Sequence, residues 1–196
     1  MKTDVKFRKL DLPVHALPRK RHHRFMEVNI MSKMVSEGFR KIGRDDEIFQ
    51  EFEHDPYRAK GKLREPSVCS QCGAVFHKGR WQWLPVPEDA HRAVCPACSR
   101  IHDHYPAGFL TLQGEFFNTH HDEIIQLLKN LEKRERAEHP LKRIMAVEEK
   151  DGIALVTTTD IHLARSFGDA LHHAYQGDLE YHYNNDQYLL RLKWSR

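Results

Sequence analysis

Two short cysteine pairs constrain this chain more than any other feature. Cys69-Ser-Gln-Cys72 and Cys95-Pro-Ala-Cys98 hold all four cysteines of the 196 residues, with 22 residues between the pairs. A Cys-x-x-Cys loop brings two sulfurs to one point, and two such loops joined by a hairpin-length segment close a tetrahedral site. Gly73, directly after the first pair, suits the tight turn a knuckle makes after its second ligand. The reading is a zinc ribbon with Cys69, Cys72, Cys95 and Cys98 as ligands of Zn2+. Four thiolates leave no position for water, so the site holds the fold and does no chemistry. The competing reading, two separate redox pairs or buried thiols, leaves the paired spacing without a cause.

The rest of the composition bounds the class. Hydrophobic residues make up 40% of the chain and the mean hydropathy is −0.69. These values fit one or two small domains with a modest core, partly stapled by metal. No apolar run is long enough for a membrane span, and the charged N-terminus lacks a signal-peptide core, so a cytoplasmic location is expected. A reducing compartment also suits metal-bound cysteines.

The net charge of +3 is unevenly placed. Residues 1–24 carry eight Lys and Arg against two Asp, while the remainder is slightly acidic. This segment reads as a basic flexible arm, too poor in apolar surface to order itself. Its dense stretch, Arg19, Lys20, Arg21, His22, His23 and Arg24, is a candidate contact for a phosphate backbone. A solvated tail with no partner is the alternative.

Hydrophobic spacing divides residues 25–196 into the elements of an α+β chain. Residues 25–66 read as a helical segment and linker: Met31, Met34, Val35, Phe39 and Ile42 predict an amphipathic helix over about 25–42, and a short second helix is expected over 45–53. The zinc ribbon is assigned to 67–105, with a hairpin turning at His77-Lys78-Gly79-Arg80, and after its second cysteine pair an irregular stretch runs from Ile101 to Pro106 into the next segment. Trp81 and Trp83 either pack or stack on bases, and packing is favoured for one of them. Lys78 and Arg80 are better placed for phosphate contacts. Residues 106–140 are assigned to a helix, with Thr119 and Asp122 as a capping box and Ile124, Leu127, Leu128 and Leu131 on one face. Residues 141–196 predict a ββαββ module. Its first hairpin turns at Asp151-Gly152. Its helix is capped by Thr158-Thr159-Asp160 and buries Ala164, Phe167, Gly168, Leu171, Ala174 and Tyr175.

Fifteen histidines invite an enzyme reading. His102, Asp103, His104, His120 and His121 are the candidate ligands of a metal-dependent hydrolase acting on nucleic acid. No P-loop, His-Glu-x-x-His or nucleophile-elbow motif accompanies them, and no catalytic residue is assigned. His162, in the first turn after the Thr-Thr-Asp cap, is either a phosphate contact or a packing residue. Arg165 joins it among the candidate nucleic-acid contacts. A redox switch, in which oxidation of the thiolates expels the metal, is a third reading.

Several segments resemble a known family. The two cysteine pairs with the intervening GRWQW (residues 79–83), PAGFLTLQGEF (106–116), EHPLKRIM (138–145) and TTTDIHLARSFGDALHHAYQGDL (157–179) resemble a small, uncharacterised family of bacterial zinc-ribbon proteins. The match covers most of 20–196. More distantly, the ribbon and the TTTDIHLAR segment are similar to the amino-terminal region of the large-ribosomal-subunit export adaptors of archaea and eukaryotes. Those adaptors carry two Cys-x-x-Cys pairs in each zinc module. This chain has a single four-cysteine set and is much shorter. The resemblance implies contact with the ribosome or ribosomal RNA and not an export role. A non-enzymatic RNA- or ribosome-binding protein, of the stress or hibernation kind, leaves the fewest features unexplained.

Overall fold

The computed structural model describes residues 39–44, 55–57, 61, 63–184 and 188–196. The arm over 1–24, residues 25–38 of the expected first helix and the expected helix over 45–53 lie outside the described residues. Within them the chain is mixed α+β, with four helices and two sheets.

The larger sheet is built around two hairpins and a helix. β7 (Ile144–Lys150) and β8 (Ile153–Thr158) join at Asp151-Gly152, whose φ values of 52° and 75° suit a tight hairpin turn. β9 (Asp178–Asn184) pairs antiparallel with β10 (Leu189–Ser195). Between the hairpins runs α4 (Ile161–Tyr175). Asp160 is its N-cap and accepts from Leu163 N at 3.0 Å, satisfying a donor the helix leaves open. Ile161, Ala164, Phe167, Gly168 and Leu171 are buried. Ala174 was expected with them but is exposed in the last turn, beyond Leu171.

The two hairpins of the expected ββαββ module are not paired with each other. β6 (Gly108–Gln113) stands between them, antiparallel to β8 with Leu110 opposite Val156, and parallel to β10 with Leu110 opposite Leu192. With β1 at Phe39–Ile42, the strand order is β1-β9-β10-β6-β8-β7. Residues 106–140 were assigned to a helix, so β6 corrects the start of that segment. Gly-Phe-Leu-Thr-Leu-Gln is a short apolar run whose partners both lie far along the chain, and no local turn announces it. Leu110 and Leu112 join Val156, Leu190, Leu192, Trp194 and Phe167 in one buried core.

Helix and sheet approach closely at Gly108. A Cβ there would lie 2.5 Å from Ala164 Cβ and 2.4 Å from Thr158 Oγ1, so only glycine lets α4 sit this near. α3 (His121–Glu138) packs beside α4 and buries Ile124, Ile125, Leu128 and Leu131, while Leu127 is half-buried. The expected capping box is absent. Glu115–Thr119 forms a short helix of its own, α2, and Thr119 Oγ1 donates to Glu115 O at 2.9 Å. That bond commits the hydroxyl to the preceding turn, and His120 caps α3 without a side-chain bond.

Phe39–Ile42, expected as the end of a helix, form β1. β1 runs antiparallel to β9 with the buried Ile42 opposite Tyr181. Here the hydrogen-bonding edge of β9 and burial of Ile42 outweigh local helical spacing.

The smaller sheet has the order β4-β3-β2-β5. β2 (Ser67–Cys69), β3 (Val75–His77) and β4 (Arg80–Gln82) run antiparallel in succession, with Lys78 and Gly79 at the turn. β5 (His91–Ala93) lies parallel to β2. It leads into α1 (Pro96–Asp103), so Ile101, His102 and Asp103 are helical where an irregular stretch was expected.

Candidate metal centre

Parallel pairing of β2 with β5 places Cys69 opposite Ala93, so the loops beyond the two strands leave the sheet at one end. The first loop is a knuckle. Cys69 O accepts from Gly73 N at 2.9 Å, Cys69 N donates to Ala74 O at 2.8 Å, and Gly73 has φ +78°. The second loop differs from the expected pair of ribbon knuckles. Cys95 is the N-cap of α1, Pro96 opens the helix, and Cys98 lies in its first turn. Proline is preorganised for that position, and the N–H groups of the first turn favour thiolate.

The four sulfurs converge. All ligand atoms of Cys69, Cys72, Cys95 and Cys98 lie within 4.8 Å of one another, and Cys72 Sγ is 3.8 Å from Cys95 Sγ. A tetrahedral ion with metal–sulfur bonds of about 2.3 Å needs sulfurs about 3.8 Å apart. All four are free thiols, and the 3.8 Å separation is far beyond a disulfide bond of about 2.05 Å. The donor set therefore fits a metal ion held by sulfur alone. Cys69, Cys95 and Cys98 are buried and Cys72 is half-buried. A filled shell of this kind leaves no open coordination position for a substrate.

Local polarity already distinguishes the sulfurs. Burial raises the Cys69 thiol, but N–H groups of Cys95, Cys72 and Gln71 outweigh it and bring the thiol down to about 6. Burial and the neighbouring sulfurs push Cys95 up despite the Cys98 N–H, which lies 3.4 Å from its Sγ. Burial also raises Cys98, against the opposing Arg143 guanidinium. A bound cation would draw all four into the thiolate form.

One buried arginine that touches a cysteine, and a second close to the centre in sequence, were missed in the sequence. Arg143 Nη1 donates to Cys98 Sγ at 3.3 Å. Arg100, two residues after Cys98, is 1% exposed, pairs with Asp55 at 2.6 Å and lies 4.6 Å from the centroid of the Tyr57 ring. Arg143 is remote in sequence from every cysteine, and although it lies in the EHPLKRIM segment, nothing local ties it to the cysteines. Leu141 and Trp81 pack against the cysteine cluster. Trp83, by contrast, is exposed, and its indole N–H donates to Arg136 O at 2.6 Å. Thus Trp81 is the tryptophan that packs.

The candidate nucleic-acid contacts are distributed. Lys78 and Arg80 flank the tip of the β3–β4 hairpin and are exposed. The backbone N–H groups of Lys78 and Gly79 are taken by the Glu65 carboxylate, at 2.6 and 3.1 Å, so an anion at this tip must be met by side chains. His162 and Arg165 lie one turn apart on α4. Asp160 occupies the N-terminal donor at Leu163, which weakens the phosphate reading of His162, and Arg165 Nη2 donates to Arg44 O. Arg19, Lys20, Arg21, His22, His23 and Arg24 lie outside the described residues.

The histidine clusters do not join the four cysteines. His102 bonds Asp103 at 2.8 Å on the exposed end of α1, and His104 follows in a left-handed conformation. His120 faces Glu123, while His121 bonds both Asp122 and Glu149 at 2.9 Å. Among the described residues, the four cysteines are the sole group of three or more His, Cys, Asp or Glu whose ligand atoms converge.

Comparisons of the chain with family models, curated proteins and solved structures give no match. No helix among the described residues is long and apolar enough to cross a membrane.

Proposed function

We propose that this chain is a non-enzymatic RNA-binding protein with a structural zinc centre, and that its partner is ribosomal RNA on the ribosome, in the manner of a stress or hibernation factor. The observation that carries this reading is the placement of positive charge. Residues 1–24 hold a surplus of six positive charges, and Lys78 and Arg80 stand exposed on the hairpin attached to the metal centre. A phosphate backbone is the polyanion such an arm and hairpin tip would meet. The exposed large hydrophobics among the described residues, Trp83, Leu84, Val86, Val94, Ile101 and Tyr105, belong to the same stretch and would supply contacts beyond charge. Zinc suits the all-sulfur, closed donor set.

Co-sedimentation with purified ribosomes at two salt concentrations tests the reading. Deleting residues 1–24 should weaken association and flatten its salt dependence by roughly 0.7–0.9 in the log–log slope for each phosphate no longer neutralised. Lys78→Ala with Arg80→Ala should remove a further share. An unchanged slope after both changes would refute the binding mode. His102→Ala, His104→Ala and His121→Ala should leave association intact. Turnover of RNA or phosphoesters that disappears with those histidines would favour the hydrolase instead.

A further inference from the structure

We infer that Arg143 is the fifth side chain of the metal centre, a positioning residue that balances the charge of the metal–thiolate group and joins the smaller sheet to the larger one. This rests on the metal reading above. A divalent ion with four thiolates carries a net charge of −2 and sits here among largely buried sulfurs. Arg143 is 6% exposed, and its Nη1 reaches Cys98 Sγ at 3.3 Å. Nε donates to Pro140 O at 2.7 Å, which aims the guanidinium, and Nη2 is buried with no hydrogen-bond partner. Its ion-pairing group is therefore the sulfur cluster; no carboxylate pairs with it among the described residues. A buried cation so placed needs the cluster as much as the cluster needs a counter-charge.

The backbone of Arg143 is anchored in the other unit. Its N–H donates to Thr159 Oγ1 at 3.0 Å, and its O accepts from Thr159 N at 3.0 Å. Thr159 directly precedes the Asp160 cap of α4, and its hydroxyl donates to Leu141 O at 2.6 Å. Leu141 itself packs on the cysteines. One short segment, Pro140 to Arg143, thus reads the metal centre on one side and the start of β7 and α4 on the other.

The test uses the full chain with Zn2+ and, as a coloured probe, Co2+. Chelator competition should show zinc affinity 10–100-fold weaker in Arg143→Met, the usual range for removing an outer-shell partner, with part recovered in Arg143→Lys. The sulfur-to-cobalt charge-transfer band should move to longer wavelength in Arg143→Met, because losing a cationic donor raises the energy of the Cys98 lone pairs. In the unsubstituted chain, chelation should speed amide exchange at the start of β7. Unchanged affinity and an unchanged band would overturn the assignment. If Arg143→Met does not fold, the chelation arm decides: β7 exchange insensitive to metal overturns it. A chain that takes up neither ion overturns the metal centre itself, an outcome separate from failure of Arg143 alone.

Discussion

On the zinc reading proposed above, Cys95→Ser isolates the contribution of the metal. Serine is a good N-cap, so α1 keeps its start while one of four sulfurs is removed. Apart from the cysteines, the buried apolar side chains of the smaller unit are Ala74, Val75 and Ala97. Their burial contributes about 3–5 kcal/mol at ~0.8 kcal/mol per methyl or methylene group, with a little more for valine. A structural zinc site contributes about 10 kcal/mol or more. The metal is thus the larger share, and losing it should open the smaller unit. The larger sheet has a separate core, including Leu110, Val156, Phe167, Leu192 and Trp194, and its central strands should persist. Metal analysis should fall from about one zinc per chain toward none. Amide exchange should accelerate in β2, β3, β5 and α1 by several powers of ten, each ~1.4 kcal/mol of reduced protection being tenfold. Exchange in β6 and β10 should change far less. Metal-free Cys95→Ser with a fully protected smaller sheet would refute the argument.

Gly108→Ala puts a methyl within 2.5 Å of Ala164 Cβ and should cost about 1–3 kcal/mol, read as a lowered denaturation midpoint; an unchanged midpoint would mean that α4 does not approach the sheet as described. His121 is raised above its ordinary value by its bond to Asp122, then by Glu149. Its contribution to stability should be fully present below the unfolded value near 6.5 and decline as pH rises through the higher folded value. Thermal melts of wild type and His121→Gln should therefore differ most in acid and converge toward alkaline pH, and a gap independent of pH would count against the bond.

Features set by neighbouring residues were legible in the sequence. The cysteine spacing located the candidate site, Asp151-Gly152 marked a hairpin, and Asp160 marked the start of α4. Features set by distant partners were not. β6 is held by β8 and β10, neither adjacent in sequence, and Phe39–Ile42 become a strand because β9 offers them an edge. Cys-Pro-Ala-Cys illustrates a middle case. The ligand residues could be read from their spacing, but the same spacing suits a hairpin knuckle and a helix start, and the Pro at N1 signalled the latter. Arg143 required the fold itself, since only the docking of the β7 entry against the cysteine cluster brings its guanidinium to Cys98.

The parallel pairing of β6 with β10 has a consequence for the order of events during synthesis. Every element of the cysteine unit lies between Ser67 and Asp103, so on the metal reading it can capture an ion while later residues are still being made. β6 emerges soon afterward, yet one of its two edges has no partner until Leu190 to Ser195 have been added. The middle of the larger sheet is consequently its last part to close, by a pairing of long sequence separation and therefore slow. Until then an apolar strand offers an open edge to other chains, the interval in which aggregation competes with folding. A nascent chain stopped before β10 should hold its metal early and its sheet late.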